Sequence, residues 1–283
     1  MGIPFARTLS LSLAILAPVP LLAKAGVEKV FAKDNLVAWC IVPFDAKKRG
    51  SAERADMAKR LGFTKIAYDW RGEHVPTFEQ EILEYKKRDI EFFAFWSWHD
   101  SFEPLIKKHG IKPQIWKTLG SPKGDTQEVK VNAAAGSMLP LLKKCEPHGL
   151  KLGLYNHGGW GGEPANLDAV CQELHKQGHK NIGIVYNFHH GHGHVDDFSE
   201  SLTLMKPYLL CLNLNGMSAK SQKFQKILPI GKGQNEESMM KTILEIGYEG
   251  PIGILGHVTS RDVEIVLKEN LKGLRELTDK LDQ

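Results

Sequence analysis

The chain has 283 residues, 42% hydrophobic and 25% charged, the balance of an ordinary globular protein with length for one large domain. A net charge of +4, evenly spread, does not point to nucleic acid, no basic stripe is visible, and no stretch is disordered or repetitive in composition. The four cysteines lie in apolar or helical stretches with no CxxC or Cys/His zinc spacing, so they read as buried free thiols.

Residues 1–25 read as a secretory signal peptide. Arg7 gives a positive start, the apolar run LSLSLAILAPVPLLA is broken by Pro18 and Pro20, and Ala23 to Ala25 form a small-x-small cleavage site. The mature chain, 26–283, is then an exported protein, periplasmic or secreted, with no membrane contact after cleavage. Losing Arg7 and Lys24 leaves a charge of about +2.

Eight apolar runs of strand length follow: 36–42, 65–70, 91–97, 114–119, 151–157, 181–187, 208–215 and 251–257. Most are continuous rather than alternating, as in strands covered on both faces. Helical patterns fill the gaps. SAERADMAKRLG stops at a glycine, and a longer helix spans 126–148 with a break expected at Pro140. In the next helix Leu167, Val170, Cys171 and Leu174 share one face, and in the last Val263, Val266, Leu267, Leu271 and Leu274 do so. Strand–helix alternation repeated eight times predicts a single-domain (β/α)8 TIM barrel. The alternative, a doubly wound sheet, usually carries a glycine-rich loop after its first strand, and IVPFDAKKRG is not one.

In a barrel the C-terminal strand ends form the working face. Here they carry Asp69 and Arg71 after strand two, Trp98 and His99 after strand three, and Lys117 on strand four. Strand five leads into His157 and Trp160, strand six into Asn187 and His190, strand seven holds Asn213 and Asn215, and His257 follows strand eight. Buried polar groups without partners cost free energy, so this many at one rim point to a ligand pocket. Flat indoles beside hydrogen-bonding groups suit the apolar faces and hydroxyl edges of sugars. Lys117, Asp69, His99, His157 and His190 are the acid–base candidates. Trp98, Trp160, Arg71, Asn187, Asn213 and Asn215 are the substrate-binding candidates. Of the histidines in NFHHGHGHVDDF, one or two are expected in the pocket, His190 first, with His192 and His194 behind it. An imidazole serves equally as metal ligand or proton shuttle.

Four motifs in order carry a resemblance: LYNHGG (154–159), VYNFHHGHG (185–193), ILPIGKG (227–233) and EIGYEGPIGI (245–254). The chain resembles the xylose isomerase-like TIM barrels, a superfamily of sugar and sugar-phosphate isomerases and epimerases that also holds inosose dehydratases and endonuclease IV. The resemblance spans roughly 36–274. It implies one divalent ion at the mouth, polarising a carbonyl while a base moves the neighbouring proton. At the positions where the family has carboxylates and a histidine, this chain has Tyr155, Asn187 and Asn213, with Gly256 or His257 at the last. Either metal binding is lost, or His157, His190 and His257 form a different site suited to zinc or another transition metal such as manganese; the second is the expectation carried forward.

The expected function is isomerisation, epimerisation or elimination beside a carbonyl of a keto-sugar or glycoside. The alternative is a non-catalytic sugar-binding barrel that has lost its carboxylates. A metal-dependent DNA repair nuclease is the weakest reading, because it needs a set of carboxylate ligands and an intracellular address.

Overall fold

The structure, a computed structural model, describes residues 26–218 and 226–282. The expected signal peptide lies outside the described residues. The strands are β1 (Leu36–Trp39), β2 (Lys65–Tyr68), β3 (Glu91–Trp96), β4 (Gln114–Thr118), β5 (Leu152–Tyr155), β6 (Ile182–Asn187), β7 (Leu209–Leu214) and β8 (Ile252–Leu255). They pair in parallel in chain order, and β8 returns to β1 to close the barrel. The helices that follow them are α1 (Ser51–Leu61), α2 (Phe78–Lys87), α3 (Glu103–His109), α4 (Gln127–Cys145), α5 (Pro164–Lys176), α6 (Phe198–Met205), α7 (Glu236–Glu245) and α8 (Val263–Leu281). The predicted single-domain TIM barrel is therefore the fold. No described helix is long and apolar enough to cross a membrane.

The continuous apolar runs have a simple cause. Alternate residues of each strand enter two separate cores. On β5, Leu152 and Leu154 pack outward against the helices while Tyr155 points into the barrel; on β6, Ile184 and Tyr186 face out and Val185 faces in. All four cysteines are buried and free. Helix α4 runs unbroken through Pro140, contrary to expectation. The proline is exposed, and the carbonyl its ring crowds belongs to Gly136, four residues earlier, which adds no side chain to the crowding.

The barrel interior is filled with aromatic rings. Trp39 and Trp116 lie 4.3 Å apart, and Trp96 is 4.9 Å from both Trp116 and Tyr155. Glycines on the neighbouring strands make the space. A Cβ on Gly253 would stand 2.3 Å from the Trp39 ring, and one on Gly153 would stand 2.5 Å from Val185 and 2.9 Å from Trp116. Gly253→Ala is expected to destabilise by about 1–3 kcal/mol, because the indole has nowhere to retreat. A melting temperature several degrees lower would report it; an unchanged one would mean the rings repack freely.

Candidate functional site

Above the aromatic plug, β5 and β6 continue into a pinned turn. Asn156 holds the Asn187 backbone from both sides: its Nδ2 donates to the Asn187 carbonyl (3.0 Å) and its Oδ1 accepts from the Asn187 N–H (2.7 Å). The Asn187 side chain is fully engaged as well. Its Nδ2 donates to the Tyr155 hydroxyl (2.7 Å), and its Oδ1 accepts from the His189 N–H (3.0 Å). The N–H groups of His190 and Gly191 then close onto the Asn187 carbonyl. A Cβ on Gly191 would fall 2.3 Å from the Tyr186 hydroxyl, so the tight turn needs glycine there.

This turn sends His189 and His190 together over the barrel mouth. Four imidazoles form a continuous row. His157 lies 4.2 Å from His190, His190 lies 4.3 Å from His189, and His189 lies 5.5 Å from His257. Tyr155 supports His190 edge-on at 5.6 Å, and Phe44 covers His257 at 3.7 Å. Burial, then the neighbouring histidines, pushes His190 down to about 3. Burial and His257 push His189 down to about 4, and burial lowers His257 too. These three rings are neutral at pH 7, and each then offers one N–H donor and one acceptor lone pair.

Across the mouth stands Asp69, 2% exposed. One carboxylate oxygen accepts the Val42 N–H (3.3 Å), and the other is buried without a partner. Burial and the neighbouring Asp69 carboxyl hold the Cys40 thiol well above its ordinary value. Burial pushes the carboxyl up to about 7, with the Arg71 guanidinium pulling the other way. A carboxyl that titrates near neutral pH is suited to both taking and returning a proton. Further buried acceptors at this end of the barrel also lack partners, among them His189 Nδ1 and Asn213 Oδ1. Asn213 sits in register with Asn187, and its amide nitrogen donates to the Gly253 carbonyl.

The family model for the xylose isomerase-like TIM barrel matches residues 104–277. The chain belongs to that family. Among solved structures, it is similar to the 3-keto-D-glucoside 4-epimerase YcjR from E. coli. That match has a TM-score of 0.66 at 13% identity and covers 86% of this chain and 100% of the other. It is also similar to the IOLI protein with a bound zinc atom (TM-score 0.64, 13% identity, 87% and 98% covered). A third is the probable 3-DHS dehydratase AsbF from Bacillus anthracis (TM-score 0.61, 16% identity, 84% and 98% covered). At these identities the likeness is one of fold. No curated protein matches the sequence significantly.

Within the family frame, the donor set does not fit the expected divalent ion. Tyr155 and Asn187 are hydrogen-bonded to each other where the resemblance places carboxylates, and such neutral oxygens are a poor cage for a hard dication. The expected triad of His157, His190 and His257 does not form either: His189 intervenes between His190 and His257. Among the described residues, no three His, Cys, Asp or Glu side chains are grouped to hold a metal.

Other expected site residues lie elsewhere. Lys117 pairs with Leu154 and shares the outward face of β4 with Ile115, so it points toward the helices. His99 packs edge-on against Trp70 (5.1 Å) and Phe78 (5.7 Å) in the outer core. Trp98 lies under Lys144 of α4 and donates its indole N–H to Asp100. Trp160 is held at the β4–α4 loop by Ser121 and Gln127. Asn215 ties the Gly216 and Lys226 carbonyls, a loop-closing role. Arg71 stays at the rim, folded onto the Asp69 and Trp70 carbonyls with its guanidinium 5.6 Å from the Phe44 ring. His192 is buried against the Ser218 carbonyl, and His194 sits between Glu163 and Asp197. Cys40, Phe44 and the place of His189 in the row become apparent only in the folded chain. His189 was visible in the histidine-rich stretch, whereas Cys40 and Phe44 carry no local signal.

Proposed function

We propose that the chain is an enzyme that removes a proton from the carbon beside a carbonyl of a neutral sugar or glycoside, leading to isomerisation, epimerisation or elimination. The observation that carries this reading is the set of buried, unpartnered acceptors at one mouth: Asp69 Oδ2, His189 Nδ1 and Asn213 Oδ1. Unpaired buried acceptors call for donors, and a hydroxylated ring supplies them. Asp69, titrating at about 7, is the base. It takes the proton as the C–H bond breaks, and the electron pair moves onto the carbonyl oxygen. An N–H of the neutral His190 imidazole, with an N–H of the adjoining His157 ring, then hydrogen-bonds that enolate oxygen. Protonated Asp69 returns the proton or assists the departure of a neighbouring hydroxyl. Similarity in fold to a keto-glucoside epimerase and a probable dehydratase agrees with this class of step. For an exported chain, the substrate is an unphosphorylated sugar.

Solvent exchange tests the proposal without knowledge of the product. In D2O, a responsive sugar from a panel of ketoses and keto-glycosides is expected to gain deuterium at the carbon beside its carbonyl, read by NMR. The Tyr155–Asn187 bond in place of carboxylates is the observation that favours a binding protein instead. Sugar binding by calorimetry with no exchange across the panel would decide for that second reading.

A further inference from the structure

A cleft of about 710 Å³ opens beside the imidazole row, between the β1–α1 and β2–α2 loops. Three of its lining residues adjoin the mouth. Val42 donates its N–H to Asp69, Pro43 precedes the Phe44 ring that covers His257, and Thr259 lies two residues beyond His257. Phe44, between the lining residues Pro43 and Asp45, thus covers His257, and the Arg71 guanidinium lies 5.6 Å from its ring.

The chemistry of the cleft walls narrows what fits. Its deep cations already have carboxylate partners: Arg49 with Asp45 (2.8 Å) and Asp262 (2.7 Å), Arg54 with Glu81 (2.7 Å). An anionic ligand would have to compete with those carboxylates in buried positions, which is unfavourable. What remains is one exposed charge of each sign, Lys48 and Glu73, which give the cleft no net anion preference, and hydrogen-bonding groups on Ser51, Thr77, Thr259 and His74. His74 Nδ1 accepts the Arg71 N–H (2.9 Å), which leaves its other ring nitrogen for a ligand. A volume of this size lies in the range of sites for ligands larger than one six-carbon ring.

We infer that this cleft is the subsite for the second unit of a glycoside, an uncharged sugar ring or hydroxylated aglycone, while the first ring sits over the imidazoles. The inference rests on the sugar reading of the mouth. Calorimetric titration of the full chain with methyl glycosides and with cellobiose, lactose, maltose and sucrose tests it. At least one disaccharide is expected to bind roughly ten-fold tighter than any methyl glycoside. Thr259→Trp, which fills the cleft from an exposed position, should remove that preference and leave methyl-glycoside binding unchanged. His74→Ala should act in the same direction, with melting curves confirming that both variants fold. Equal affinities for mono- and disaccharides, or a preference that survives Thr259→Trp, would overturn the subsite and leave the sugar reading standing. If no probe of either kind binds, the sugar reading falls and the subsite with it.

Discussion

Asp69→Asn is expected to lower the rate of proton exchange by about 10²–10⁴-fold and, at pH 8, to raise the melting temperature. Both effects come from one cause. The carboxyl is buried and pushed from its ordinary 3.8 up to about 7. The folded chain therefore binds more protons than the unfolded chain between those two values. Stability falls as pH rises through that window, and the penalty is fully in place above 7. Asparagine keeps the shape and the acceptor for the Val42 N–H but cannot ionise. The gain is roughly 1–4 kcal/mol at pH 8 and fades below about pH 4. In the unmodified chain, the exchange rate should climb with pH through about 7 as the base ionises. Full exchange activity in Asp69→Asn would remove Asp69 from the mechanism, and a lower melting temperature at pH 8 would show that the carboxyl is not held against its charge.

Restoring the family's donors should restore its ion. The combined substitution Tyr155→Glu, Asn187→Asp and Asn213→His replaces a hydrogen-bonded neutral set with two carboxylates and an imidazole. The variant is expected to retain about one equivalent of zinc or manganese after dialysis, by elemental analysis. At 100-fold excess of metal over its Kd, its melting temperature should rise by about 5–10 °C. The unmodified chain should retain well under one equivalent and show no such rise. One tightly held equivalent in the unmodified chain, lost in His157→Ala or His190→Ala, would instead establish the histidine site expected from the sequence.

The fold was legible for a physical reason. A strand covered by helices on one side and a packed interior on the other must be apolar at nearly every position, and runs such as Ile182 to Val185 record that directly. Helices α5 and α8 were legible because a single buried stripe repeats every three to four residues. The site was legible only in part. The sequence placed Asp69, His157, His190, Asn187 and His257 at strand ends, and the barrel brings these to one mouth. It did not give direction. Lys117 faces outward because alternation on β4 is counted from Trp116, whose ring fills the barrel. Trp98 and His99 leave the rim because Ser97 takes a positive φ of 61° and binds the Trp116 carbonyl, turning the chain to the outside.

The amino-acid sequence by itself determined the barrel, its strand count and the inventory of imidazoles and amides at its mouth, since burial and periodicity are written residue by residue along the chain. Tertiary structure alone decided that Asp69 sits near neutrality beside Cys40, that four histidines line up in one row, and that Tyr155 and Asn187 bind each other. Those properties depend on which side chains from distant strands meet in a water-poor space, and contacts between distant segments leave no local trace in a single sequence.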